Sequence, residues 1–166
     1  IPLPKSFYSL DTYKTYTVEE AKARMQKYCA YQERCHKEVH QKLRDMRMIP
    51  EAIALIVNDL IQENYLNETR FAQAFARGKF KNKKWGRNRI VQELKFREIS
   101  AYNIKKALQE IPEAAYLETF EALVEKRLAQ LASEKSLPKK KKKLADYLFY
   151  RGWEPELVWD AVYKIN

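Results

Sequence analysis

Two histidines, His36 and His40, stand four residues apart in "CHKEVH", the spacing from which one helix face can bind zinc. A metalloprotease of that type needs a glutamate directly after the first histidine. Lys37 holds that place, and Glu38 comes one residue late. The chain has no other histidine, so only Cys29 and Cys35 could complete a ligand set, and a set that compact within one helical stretch is strained. The segment reads as a polar helix face, with no metal and no cofactor. The acid pairs Glu19–Glu20 and Asp59–Glu63 look like helix-start and surface carboxylates, which spacing alone cannot promote to an acid–base pair. Serine, cysteine and histidine form no nucleophile pattern. No catalytic residue is expected, and the chain does not read as an enzyme.

The residues that could do chemistry are cations. In "RGKFKNKKWGRNR", residues 77–89, Arg77, Lys79, Lys81, Lys83, Lys84, Arg87 and Arg89 surround Phe80, Trp85 and two of the three glycines, with no acid among them. A second run, Lys139, Lys140, Lys141, Lys142 and Lys143, opens "KKKKKLADYL". The net charge is +10, and it is unevenly spread: residues 65–111 hold twelve cations against four acids, while residues 1–64 hold ten against nine. Two basic islands on an otherwise balanced chain are the footprint of a polyanionic or acidic partner. The lysine run falls in the first turns of a helix, where the macrodipole disfavours each exposed cation by ~0.3–1 kcal/mol. Local stability therefore does not explain it.

These side chains must be positioned by helices. Three glycines and six prolines are too few for a turn-rich all-β fold, and an apolar share of 46% lets 166 residues bury a real core. "TVEEAKARM" opens with a capping box, Thr17 and Glu20, and Asn67 and Ser100 are further N-cap candidates. Pro50, Pro112, Pro138 and Pro155 each precede a periodic apolar run, where proline at the first helical position costs no hydrogen bond. About nine helices result, with breaks near 33, 48, 65, 84, 99, 111, 137 and 153. Cys29 and Cys35 would lie ~9 Å apart along a helix, beyond disulfide reach. With no signal peptide and no apolar run near 18 residues, the expectation is a reduced, cytoplasmic protein without membrane contact.

The helices repeat. Val39, Leu43, Met48, Ile53 and Val57 are spaced 4, 5, 5 and 4; so are Ile90, Leu94, Ile99, Ile104 and Leu108, and Leu144, Leu148, Trp153, Val158 and Val162. All fifteen are apolar. Each set describes the inner face of one helix, a plug in the turn, and the facing side of the next helix. A further helix precedes each pair, carrying Phe71, Ala72, Phe75 and Ala76 in the second unit and Phe120, Leu123, Val124, Leu128 and Leu131 in the third. The expected architecture is all-α: an N-terminal tail (residues 1–16) and three tandem three-helix repeats (17–64, 65–111, 112–166). They form an elongated, curved array with three local cores. By the repeat offsets Lys139–Lys143 align with residues 85–89. Stacked repeats would then merge the two islands into one basic surface.

At this point the chain resembles the RecX family, small regulators of the RecA recombinase. "YLNETRFAQAFARGKFKNKKWGRNRIVQELKFREIS" is similar to the family's most recognisable block, on Tyr65, Leu66, Asn67, Glu68, Phe71, Ala72, Phe75, Arg89, Ile90, Glu93, Leu94 and Ile99. "EVHQKLRDMRMIPEAIALIVNDLIQENYL" resembles the block before it. The family often has a glycine before the turn plug; here Arg47 and Glu98 stand there, only Gly152 preserves it, and the first two turns are expected to close another way. The resemblance implies a curved repeat array lodged in the groove of the RecA–DNA filament, as a monomer. It would inhibit recombination, strand exchange and co-protease activity, and so modulate DNA repair and the SOS response negatively. The partners implied are the RecA filament and, weakly and without sequence preference, single- and double-stranded DNA.

A competing reading is a helix-turn-helix DNA-binding protein. Against it, the third helices open on "PEAIAL", "AYNIKK" and "PEL", and not on base-reading Arg, Asn or Gln.

Overall fold

The computed structural model describes residues 13–166; the expected tail of residues 1–16 lies mostly outside them. Nine α-helices and no strand occur among the described residues: α1 (Val18–Tyr31), α2 (His36–Asp45), α3 (Pro50–Gln62), α4 (Glu68–Gly78), α5 (Arg87–Phe96), α6 (Ala101–Leu108), α7 (Glu113–Gln130), α8 (Leu137–Tyr150) and α9 (Pro155–Tyr163). Three of the helix starts follow directly from side-chain chemistry. Thr17 Oγ1 accepts from the Glu20 N–H at 3.1 Å, Asn67 Oδ1 from the Arg70 N–H at 2.9 Å, and Ser100 Oγ from the Asn103 N–H at 3.2 Å, each satisfying one orphan donor. The histidine segment closes similarly. Glu38 accepts from the Cys35 N–H at 2.8 Å, so the glutamate misplaced for zinc chemistry is a helix cap. Pro50, Pro138 and Pro155 lie in first turns. Pro112 instead sits one residue outside, as the N-cap of α7, and Ser136 caps α8.

One element was not expected. Beyond α4 the chain continues as a five-residue π-helix, Lys79–Lys83, which ends on Lys84 in the left-handed conformation, φ 56°. Wider i→i+5 turns of this kind are rare and recur at functional sites. Half of the first basic island is therefore an extension of α4, and only Arg87 and Arg89 open the middle helix α5.

Thirteen of the fifteen repeat positions are buried, with Met48 and Leu108 half-buried. They do not form three separate cores. Residues Ala21 to Leu66 make one cluster for the first repeat, whereas a single cluster runs from Phe71 through Leu94 and Tyr116 to Trp153 and Ile165. The second and third repeats have fused. The reason lies at the start of α5, described below. Between the first and second repeats the junction is narrower. Cys35 is buried in the larger cluster, Arg70 pairs with Glu33 at 2.5 Å, and Lys37 donates to the Phe96 carbonyl at 2.8 Å. No hydrogen bond or ion pair among the described residues joins the first repeat to the third, as in a chain of units that touch only their neighbours.

The three plugged turns are equivalent in backbone as well as in sequence. Arg47, Glu98 and Gly152 all have positive φ, 59°, 61° and 84°. The turns lacking glycine therefore close in the same left-handed way, contrary to expectation, with a Cβ held where it costs roughly 1–2 kcal/mol.

The junction of the second and third repeats and its basic islands

Gly86 caps α5 with no side chain, and the neighbouring repeat supplies what is missing. The Gly86 N–H donates to the Arg151 carbonyl at 2.8 Å, the Arg87 N–H to the Tyr116 hydroxyl at 3.0 Å, and the Asn88 N–H to the Gly152 carbonyl at 3.0 Å. Three orphan donors of one repeat are thus satisfied by the next. Contact this close requires both glycines. A Cβ on Gly86 would lie 2.6 Å from the Trp153 nitrogen, and one on Gly152 would overlap the Arg89 backbone. Of the three turn positions, only Gly152 makes a backbone hydrogen bond to another repeat among the described residues.

Side chains complete the seam. Arg87 pairs with Glu113 and, at 3.3 Å, with Glu154, and its guanidinium lies 3.8 Å from the Tyr116 ring centroid. Tyr116 is buried and donates to Glu154 at 2.5 Å. Burial first, and then that hydrogen bond, push its phenol well above the ordinary tyrosine range. Phe80 of the π-helix stacks on Tyr116 with centroids 5.9 Å apart, and Trp153 lies 4.5 Å from the same ring. Arg89 reaches across to the Tyr150 carbonyl at 2.9 Å.

The twelve cations singled out by sequence divide accordingly. Arg87 and Arg89 belong to the seam. Arg77 pairs with Glu110 at 3.0 Å, Lys142 with Asp146 at 2.5 Å, and Lys143 with Glu134 at 2.7 Å. The Lys143 contact holds the Glu134 carboxyl below its usual range. Lys79, Lys81, Lys83, Lys84, Lys139, Lys140 and Lys141 have no ion-pair partner among the described residues. Trp85 is half-buried against the core, edge-on to Phe75 at 6.3 Å, with Lys79 at 5.1 Å and Arg89 at 4.2 Å from its ring.

The second island stands away from the seam. The start of α5 meets the end of α8, at Tyr150 to Gly152, while Lys139–Lys143 occupy the start of α8. At ~1.5 Å per residue the helix separates Lys141 from Tyr150 by roughly 14 Å. The expectation of one continuous patch assumed that equivalent positions stack side by side. The backbone cap instead sets the beginning of one middle helix against the end of the next.

Burial pushes both thiols, Cys29 and Cys35, up to about 11, away from nucleophilic use. Burial lowers His36, which shares a shallow surface with His40, Arg44 and Arg97. Among the described residues no three His, Cys, Asp or Glu side chains group to hold a metal ion, and no helix is long and apolar enough to cross a membrane.

A seam of this kind, in a tandem array of three-helix units, defines a helical-repeat protein. Known proteins make the class specific. The family model for the second three-helix domain of RecX matches residues 67–108, and that for the third matches residues 114–162. The chain belongs to the RecX family. It is 29% identical to the regulatory protein RecX of Streptococcus uberis over 135 residues, 79% of this chain and 50% of that one. It is 28% identical to that of Trichlorobacter lovleyi over 121 residues, 72% and 79% of the two chains. The chain spans about half the length of the first of these relatives. Two crystal structures share the fold: RecX from Lactobacillus salivarius, with a TM-score of 0.75 at 24% identity over 89% of this chain and 95% of that one, and another regulatory protein RecX, with a TM-score of 0.78 at 20% identity over 89% and 73%.

Proposed function

We propose that this chain is a non-enzymatic, monomeric, cytoplasmic regulator that binds the RecA–DNA filament. In doing so it restrains the filament's recombinase, ATPase and co-protease activities. The observation that carries the reading is the match of the second and third repeats to the RecX family. The geometry supports it physically. A chain of units in contact only with neighbours offers an extended surface, and the lysines without acidic partners suit phosphate or acidic protein groups. Contact with naked DNA is then weak, tolerant of sequence and steeply salt-dependent. Base readout by a helix-turn-helix has less support, because the one amide early in a third helix, Asn103, is engaged by Glu68 and Thr69.

The test is a filament assay with purified RecA, ATP and single-stranded DNA. Stoichiometric addition is expected to lower ATP hydrolysis and strand exchange. Unchanged rates at that ratio would remove the reading.

A further inference from the structure

Cations and aromatic rings alternate along the second repeat up to its seam with the third. Arg97 lies 4.8 Å from the Phe75 ring centroid, and Lys79 stands 5.4 Å from Phe75 and 5.1 Å from Trp85. Arg89 lies 4.2 Å from Trp85 and 4.7 Å from Tyr150. The ladder begins in α4, passes through the π-helical extension and α5, and ends on the last residue of α8. The inner rings, Phe75 and Trp85, are half-buried against the core. Tyr150, at the outer end, is not: it is 72% exposed although it sits in a well-packed helix.

Packing does not account for Tyr150. The seam is closed without its ring, by the backbone cap, the Arg87–Glu113–Glu154 pairs and the bond from Arg89 to the Tyr150 carbonyl, which any residue would supply. Arg89 stabilises and orients the ring from one side. Most of the remaining surface of an amphipathic ring is left in water, and the ladder joins it through Arg89 and Trp85 to Lys79, which like Lys81, Lys83 and Lys84 has no ion-pair partner among the described residues.

We propose that Tyr150, braced by Arg89, is a stacking platform for an unpaired base of single-stranded nucleic acid, whose phosphates the π-helix lysines hold. This rests on the reading of the basic islands given above and deepens it. Aromatic faces accept any base, so such a site is sequence-tolerant, and cations along the backbone complete it. The same arrangement discriminates against duplex, whose bases are already stacked and paired. It also separates the two islands by role. Lys139–Lys143 have no exposed ring within the ladder and lie at the far end of α8.

The experiment is a titration of fluorescein-labelled oligo(dT), which has no secondary structure, and of a duplex of the same length, with Tyr150→Ala, Tyr150→Phe and the parent protein. Tyr150→Ala is expected to weaken oligo(dT) binding roughly tenfold, with an unchanged salt slope and duplex binding altered by less than about twofold. Tyr150→Phe should retain the parent affinity, since the ring and not the hydroxyl is used. Lys81→Glu/Lys83→Glu/Lys84→Glu should instead flatten the salt slope on both substrates. Thermal melts confirm that each variant is folded. Unchanged oligo(dT) affinity in folded Tyr150→Ala overturns the proposal, as does an equal loss on duplex and single strand. Because the probe is naked oligonucleotide, these outcomes are separate from those of the filament assay. A parent protein that binds oligo(dT) through Tyr150 yet leaves RecA unaffected would remove the regulatory reading and keep this one.

Discussion

At the scale of single residues, the three turn positions Arg47, Glu98 and Gly152 make an internal experiment. All three have positive φ, but among the described residues only Gly152 also bonds the backbone of another repeat. Glu98 is exposed, so its Cβ adds strain with little in return. Glu98→Gly should raise stability by ~0.5–1 kcal/mol, the relief of left-handed strain less the greater freedom of the unfolded chain. Glu98→Ala, which keeps the Cβ, should not, and the midpoints of urea unfolding curves separate the two. The opposite holds at Gly152, where Ala brings both positive φ and a clash with Arg89. A loss of about 2–5 kcal/mol is expected, and a loss under 1 kcal/mol would show that the seam can shift to accommodate a methyl group.

At the scale of elements, α5 shows why charge alone misleads about function. Arg87 and Lys84 look alike in sequence, yet Arg87 joins two repeats through Glu113, Glu154 and Tyr116, while Lys84 is exposed beyond the π-helix. Reversal at Lys81, Lys83 and Lys84 should change stability by no more than ~0.5 kcal/mol. Arg87→Glu should cost about 1–3 kcal/mol, because it removes hydrogen bonds to charged partners and sets a third carboxylate beside two others. Equal effects in denaturant titrations would mean that the Arg87 network contributes nothing. A charge-reversal test of binding must therefore leave Arg87 intact. The buried face of the same helix is as sensitive as its seam: Leu94 is wholly buried, and Leu94→Ala should cost ~2–5 kcal/mol.

At the scale of the whole molecule, the two core clusters predict two cooperative blocks. The first repeat holds its own apolar cluster and meets the second through Cys35, the Arg70–Glu33 pair and the Lys37–Phe96 bond. The second and third repeats share one core and a backbone-to-backbone cap. Native-state hydrogen exchange at rising denaturant should therefore release α3 amides at a different opening free energy from those of α5 and α8, with α5 and α8 together. A single shared opening for all three would show that the narrow junction transmits cooperativity as well as the fused one. For a protein read as fitting along a filament, a compliant joint after the first repeat and a stiff pair beyond it would divide adjustment from anchoring.

The α-helices, their order and their inner faces were legible from the residues alone. Caps such as Thr17, Asn67 and Ser100 act over three residues, and the 4, 5, 5, 4 spacing reports burial within one unit, so both are local and legible. The resemblance carried by Tyr65 to Ile99 likewise led to the family. The contacts between units are another matter. Gly86 and Gly152 are 66 positions apart in the sequence, and nothing local signals that their backbones meet, that Tyr116 would serve as a helix cap, or that two cores would become one. The candidate site was legible as a list of cations and not as a geometry. Spacing could not tell Arg87, engaged by two glutamates, from Lys84, engaged by none, nor show that the seam meets α8 at the end opposite Lys139–Lys143. Periodicity records which face a residue turns inward. Which partner stands across a junction depends on how the units stack, and here that was set by backbone groups carrying no side-chain signature.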